Sequence, residues 1–186
     1  MDDPVRDDAV SDPNGAEAPG PSAEGEDQGG ELSEAETGAF RELMEIESRF
    51  KGGANWFYWI AALTMINSVL YLSGSGWGFI VGMGITQIID SIALAFADES
   101  PSITPKVIAF VLDLVVAGVA VLFGVLAGKR MTWAFIVGMV LYAIDGLLFL
   151  IVQDFLSFGF HIFVLVCMFL GLKALFQLQS LERAVP

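Results

Sequence analysis

The chain has 186 residues, of which 55% are hydrophobic and 17% charged, with a formal net charge of −13. The apolar residues fall in long runs rather than in the spaced pattern of a soluble core, which excludes a single soluble domain and indicates a membrane domain. One cysteine, Cys167, sits inside such a run, so no intramolecular disulfide can form.

The charge is unevenly placed. Residues 1–50 carry 15 acidic and 3 basic side chains, and the remainder carries 7 and 6. Residues 1–32 are rich in Asp, Glu, Gly, Pro, Ala and Ser. They lack the large apolar side chains that would offset chain entropy, so a disordered acidic tail is expected. It has neither the cationic start nor the apolar centre of a signal peptide.

Residues 33–52 read as an amphipathic helix. Ser33-x-x-Glu36 fits a capping box. Phe40, Leu43, Ile46 and Phe50 fall on one side of a 3.6-residue period. The expectation is a helix on the membrane surface or against the bundle, ended by Gly52-Gly53.

Five membrane spans are predicted after it, at about 54–72, 76–97, 105–128, 131–153 and 156–176, each long enough for one crossing. Helices are the conformation that satisfies the backbone in lipid. Trp56, Trp59 and Tyr71 frame the first span as interfacial aromatics do. Ser73-Gly74-Ser75, Asp98–Thr104, Lys129-Arg130 and Asp154 read as the connections, and residues 178–186 as a polar tail.

Trp-x-Phe-Ile-Val-Gly-Met occurs at Trp77–Met83 and again at Trp133–Met139, a period of 56 residues. Each copy is followed by an aspartate, Asp90 or Asp145. This points to a tandem two-helix repeat with both copies in one orientation, followed by an extra helix. The fold class is thus an all-α, five-transmembrane-helix bundle, preceded by the amphipathic helix and the tail.

Five spans place the termini on opposite faces. Arg41, Arg49, Lys51 and Lys106 then balance Lys129, Arg130, Lys173 and Arg183, so cation counting does not choose a side. A cytoplasmic amino terminus is favoured because a long acidic tail would otherwise have to cross.

Chemistry resides in the buried polar residues. At about 1.5 Å per residue, Asp90, Asp113 and Asp145 fall roughly 10–12 Å below the face holding the amino terminus, and His161 roughly 8 Å below it. Gln87 and Thr86 lie one turn before Asp90, whereas Asn67 falls nearer the other face. A stripe of Ala109, Asp113, Ala117, Ala120, Gly124 and Gly128 and the spacing Gly78-x-x-x-Gly82 both favour close helix packing. A charged side chain facing lipid is costly, so these faces should turn inward. Two readings follow from this intramembrane polar layer of Asp90, Asp113, Asp145, His161 and Gln87. In one, acids and imidazole fix helix packing. In the other, they relay protons or hold a cation, close like charges leaving part of the layer protonated.

No enzyme is expected. The Gly-x-Gly-Asp string of intramembrane aspartyl proteases is absent, as are Gly-x-Ser-x-Gly and a phosphate loop ending in Lys-Ser/Thr. One histidine and one cysteine cannot make a zinc site, so no metal and no cofactor is expected. The expected partners are the lipid bilayer, a second copy of the chain, and a basic protein for the acidic tail. Nucleic acid is not among them.

The strings NWFYWIA at Asn55–Ala61, GITQ at Gly84–Gln87, FIVGMVLYAIDG at Phe135–Gly146 and DFLSFGFH at Asp154–His161 resemble a group of small bacterial multi-pass membrane proteins. The resemblance covers the membrane domain and not the tail. It implies a bacterial inner-membrane location and supplies no activity and no site roles.

Overall fold

The structure, a computed structural model, describes residues 33–73, 82–99 and 103–184. The acidic tail over residues 1–32, residues 77–81 of the first Trp-x-Phe-Ile-Val-Gly-Met string and with them the Gly78 end of the Gly78–Gly82 spacing lie outside the described residues. Among the described residues the fold is all-helical: α1 (Glu34–Leu72), α2 (Gly84–Glu99), α3 (Thr104–Gly128), α4 (Thr132–Ile151) and α5 (Phe155–Ala184).

The start of α1 is set locally. The Ser33 Oγ accepts from the Glu36 N–H while a Glu36 carboxylate oxygen accepts from the Ser33 N–H, closing the capping box. The helix then runs 39 residues without interruption through Gly52-Gly53. The expected break is therefore replaced by one helix that joins the amphipathic segment to the first predicted span. Gly53 is buried against α5, where a Cβ would lie 2.6 Å from the Gly171 Cα. The glycine is used for backbone approach, and packing outweighs its weak helix preference.

Contacts fix the helix directions. On α1, Phe57 stacks on Phe123 of α3, whereas Ser68 bonds Asp113, eleven residues later on one helix and ten earlier on the other. So α1 and α3 are antiparallel. The tight turns that follow make α3 and α4 antiparallel, and α4 and α5 likewise. Both turns end in a Schellman motif. The Met131 and Asp154 N–H groups reach back to Leu126 and Phe149, with Arg130 (φ 63°) and Gln153 (φ 59°) in the left-handed position that glycine usually fills.

It follows that α1 ends and α3 begins at the same end of the bundle, which places α2 differently from the second full span predicted over 76–97. Its sixteen residues are about 24 Å long, short of the roughly 30 Å apolar layer. It starts beside Asp145 on α4 and descends antiparallel to α3, its Ile92 and Phe96 flanking the same groove as Pro105 and Ile108. A tandem two-helix repeat would make α1 and α3 parallel, and they are not. The carboxyl-terminal segment also differs: α5 continues to Ala184 through the predicted polar tail, with Leu178 buried and Arg130 of the α3–α4 turn paired with Glu182. The start of α1 and the end of α5 thus share one end of the bundle.

Among the described residues, three helices are long and apolar enough to cross a membrane: α3, α4 and α5. Their outward faces are large and apolar, as at Val111, Leu114, Val115 and Leu122 of α3. Small residues fill the inside of α3: Ala109, Ala117, Ala120 and Gly124 are buried around Asp113. Ala127 closes that stripe in place of Gly128, which is exposed. Large side chains toward lipid and small ones inward are the pattern of close helix packing in a membrane.

Candidate functional site

The polar residues gather toward the end where α1 stops and α3 starts. The depth reading has α3, α4 and α5 entering from the right distance but names the wrong face, because α1 runs the other way. The last turns of α1 are brought into the polar region as a result. Asn67, set aside from the layer by sequence, lies against Gly82 near the start of α2, with Gln87 beside it. Gln87 is half-buried in this corner.

The layer resolves into two clusters on successive turns of α2. The first is built on α4. Tyr142, Asp145, Gly146 and Phe149 recur at helical spacing and form one inward face. The Asp145 Oδ2 accepts the Gly84 N–H at 2.8 Å, and its Oδ1 accepts the Ile85 N–H at 2.9 Å. These are the first two amides of α2, which have no partner within their own helix. A carboxylate on a neighbouring helix therefore caps α2 inside the bundle, where the positive end of the helix dipole favours it.

His161 completes this cluster. Its ring is 1% exposed and lies flat on Tyr142, with centroids 4.3 Å apart and planes 16° apart. Phe149 leans on the ring at 4.9 Å, and the missing side chain at Gly146 makes room for it: a Cβ there would sit 3.2 Å from the imidazole Cδ2. Nδ1 lies 2.9 Å from the Ser157 carbonyl oxygen and Nε2 lies 3.1 Å from the Asp145 Oδ2. A carbonyl can only accept, so Nδ1 carries a proton. The Nε2–Oδ2 contact then pairs the imidazole with the carboxyl that caps α2.

The second cluster joins α1, α2 and α3. Asp113 is fully buried, and its Oδ2 accepts the Ser68 hydroxyl at 2.6 Å. Ser68 also lies 3.1 Å from the Thr64 carbonyl one turn back. Asp90, on α2, is near enough to Asp113 on α3 for the two carboxyls to act on each other electrostatically. The two Oδ1 atoms, both buried, have no donor. Two carboxyls brought together in an apolar bundle repel each other when both are ionised.

Four of the five sequence-selected residues thus form two pairs, Asp145 with His161 and Asp90 with Asp113. Sequence reasoning missed Ser68, Thr64 and the α2 amides. Ser68 and Thr64 carry a detectable signal, two hydroxyls at four-residue spacing on the buried side of α1. The amides carry none, since their role depends on where α2 begins. Among the described residues no group of three or more His, Cys, Asp or Glu side chains is arranged to hold a metal ion. No family model, curated protein or solved structure matches the chain.

Proposed function

We propose that this chain is an integral membrane protein that moves protons or small cations through the polar interior beside α2. In this reading α1, α3, α4 and α5 cross the bilayer and α2 is a half-helix that leaves by the face it entered from. This replaces five crossings by four. The observation that carries the reading is the Asp145 carboxylate, held at once by the buried start of α2 and by His161. Interrupted helices with interior termini are where many transporters bind their ions, and intramembrane ionisable groups mark proton paths.

The same geometry supports a reading of the orientation. With both helical termini at one end, Arg41, Arg49, Lys51, Lys129, Arg130, Lys173 and Arg183 belong to that end, leaving Lys106 at the other. The balance that five spans produce becomes a strong bias, which by the positive-inside rule supports a cytoplasmic terminal end. A bacterial inner membrane is the location implied by the resemblance of the membrane domain.

A packing role is the second reading. It is favoured by the saturation of Asp145, which already receives two amides and faces the imidazole. Flux in proteoliposomes separates the two. Proton or sodium flux that falls at least tenfold in folded Asp145→Asn, His161→Gln and Asp113→Asn proteins supports transport. Absence of flux under gradients in either direction, with the variants only less stable, supports packing.

A further inference from the structure

A cavity of about 380 Å³ opens between α1 and α5, at the end of the bundle that holds both helical termini. That is the size of a small-ligand pocket. Its lining is graded. Arg49, Lys173 and Gln177 stand at the outer part, and Trp56 and Leu170 stand nearer the bilayer centre, since α1 runs inward here and α5 outward. Trp56 is set against α5 with its ring at 89° to that of Phe163, the centroids 5.5 Å apart. Gly52 lines the cavity without a side chain, and a Cβ there would meet nothing within 4 Å. Among the described residues no carboxylate lines the cavity. Glu45 bonds Arg49 at 2.6 Å from one turn further out, which occupies one nitrogen of a guanidinium that has five N–H donors.

The depth is that of an interface. Lys173 lies eighteen residues beyond Phe155, about 27 Å along α5, close to the roughly 30 Å of the apolar layer. It is exposed, so its ammonium reaches water while its stem lies along apolar surface. We infer that the cavity holds the head of an anionic phospholipid, with its phosphate between Arg49 and Lys173 and the start of an acyl chain against Trp56 and Leu170. Cations at the rim and apolar side chains below match a molecule that is anionic at one end and apolar at the other. A soluble anion would use the rim alone, and a zwitterionic lipid would bring its own cation beside two others. Basic pockets between membrane helices suit such heads. The site is separate from the polar clusters and requires only that α1 and α5 lie in the bilayer, so flux does not decide it.

The test is the thermal unfolding midpoint of the full chain in detergent micelles holding phosphatidylglycerol or phosphatidylcholine, at equal mole fraction and ionic strength. Phosphatidylglycerol is expected to raise the midpoint by about 3–5 °C over phosphatidylcholine when it is about tenfold above its dissociation constant. Arg49→Gln and Lys173→Gln each weaken the apparent affinity about fivefold, the worth of one cation near a membrane surface. Together they take the rise below about 1 °C. Gly52→Leu fills the cavity from a position that has room for it, and removes the rise without lowering the midpoint in phosphatidylcholine. Arg41→Gln combined with Lys129→Gln removes two exposed cations of the same end that lie outside the cavity, and keeps the rise. Equal midpoints in the two lipids overturn the site, as does a rise that survives Gly52→Leu or the paired Arg49→Gln and Lys173→Gln. A rise lost as fully with Arg41→Gln and Lys129→Gln overturns it in favour of a general attraction to the cationic end. Glycerol 3-phosphate, which has the phosphate and no chains, is expected to leave the midpoint unchanged at the same concentration. An equal rise with it overturns the lipid and assigns the cavity to a soluble anion.

Discussion

Gly53 and Gly171 meet backbone to backbone where α1 crosses α5, so that a Cβ on either would lie 2.6 Å from the Cα of the other. Gly52, one residue earlier, has nothing within 4 Å of its own Cβ position. The two neighbours therefore predict opposite outcomes. Gly53→Ala forces the helices apart and is expected to destabilise by about 1–3 kcal/mol, the usual cost of overpacking. Gly52→Ala meets open space and gains about 0.5–1 kcal/mol from helix propensity. Unfolding midpoints of the two variants in the same detergent check the difference in sign.

The glycine pair also shows where sequence reading stops. Two consecutive glycines look like a helix break from local propensity, and only the position of α5 turns one of them into a contact. Apolar runs made the helices over 104–128 and 132–151 legible, and the stripe around Asp113 predicted which side of α3 is buried. The direction of α1 was not legible. It depends on whether the segment before α3 crosses the bilayer, and a run of apolar residues looks the same in a full span and a half-helix. One reversed helix moved the polar layer to the opposite face, brought in Ser68 and Thr64, and divided the layer in two. The aspartates after the two Trp-x-Phe-Ile-Val-Gly-Met strings have different work as a result. Asp145 caps a helix start, whereas Asp90 leans on another acid.

Asp154 gives the clearest dependence on pH outside the membrane-spanning segments. It caps α5: Oδ1 accepts the Ser157 N–H at 3.1 Å and Oδ2 the Ser157 hydroxyl at 2.5 Å. The Ser157 hydroxyl and then the Ser157 amide hold its carboxyl below the usual value of 3.8. A carboxyl lowered in the folded state contributes stability above its unfolded value and loses it as pH falls through the folded one. Asp154→Ala is therefore expected to cost about 1 kcal/mol at pH 7, the typical worth of a helix cap. The gap to the native protein should narrow below about pH 4, as the native carboxylate takes a proton. Asp154→Asn retains a capping oxygen and should lie closer to the native protein at pH 7, and because neither variant titrates at this position both gaps should shift by the same amount in unfolding midpoints measured from pH 7 to pH 3.

The number of crossings is the claim on which the functional reading stands, and labelling can decide it. Four crossings put Lys129 and the end of α5 on the face that holds the start of α1, with Gln153 on the other. Five crossings put Lys129 and the end of α5 opposite the start of α1 and place Gln153 on its side. A Cys167→Ala background removes the native thiol, which is half-buried within α5. Glu34→Cys, Lys129→Cys, Gln153→Cys and Arg183→Cys can then be read singly with a membrane-impermeant maleimide in right-side-out and inverted vesicles. The expected pattern is labelling of positions 34, 129 and 183 from the cytoplasmic side alone and of 153 from the other side alone. Positions 34 and 183 on opposite sides would restore the fifth crossing. The cation bias at the terminal end would then vanish with it, and α2 would no longer begin inside the bundle with Asp145 as its cap.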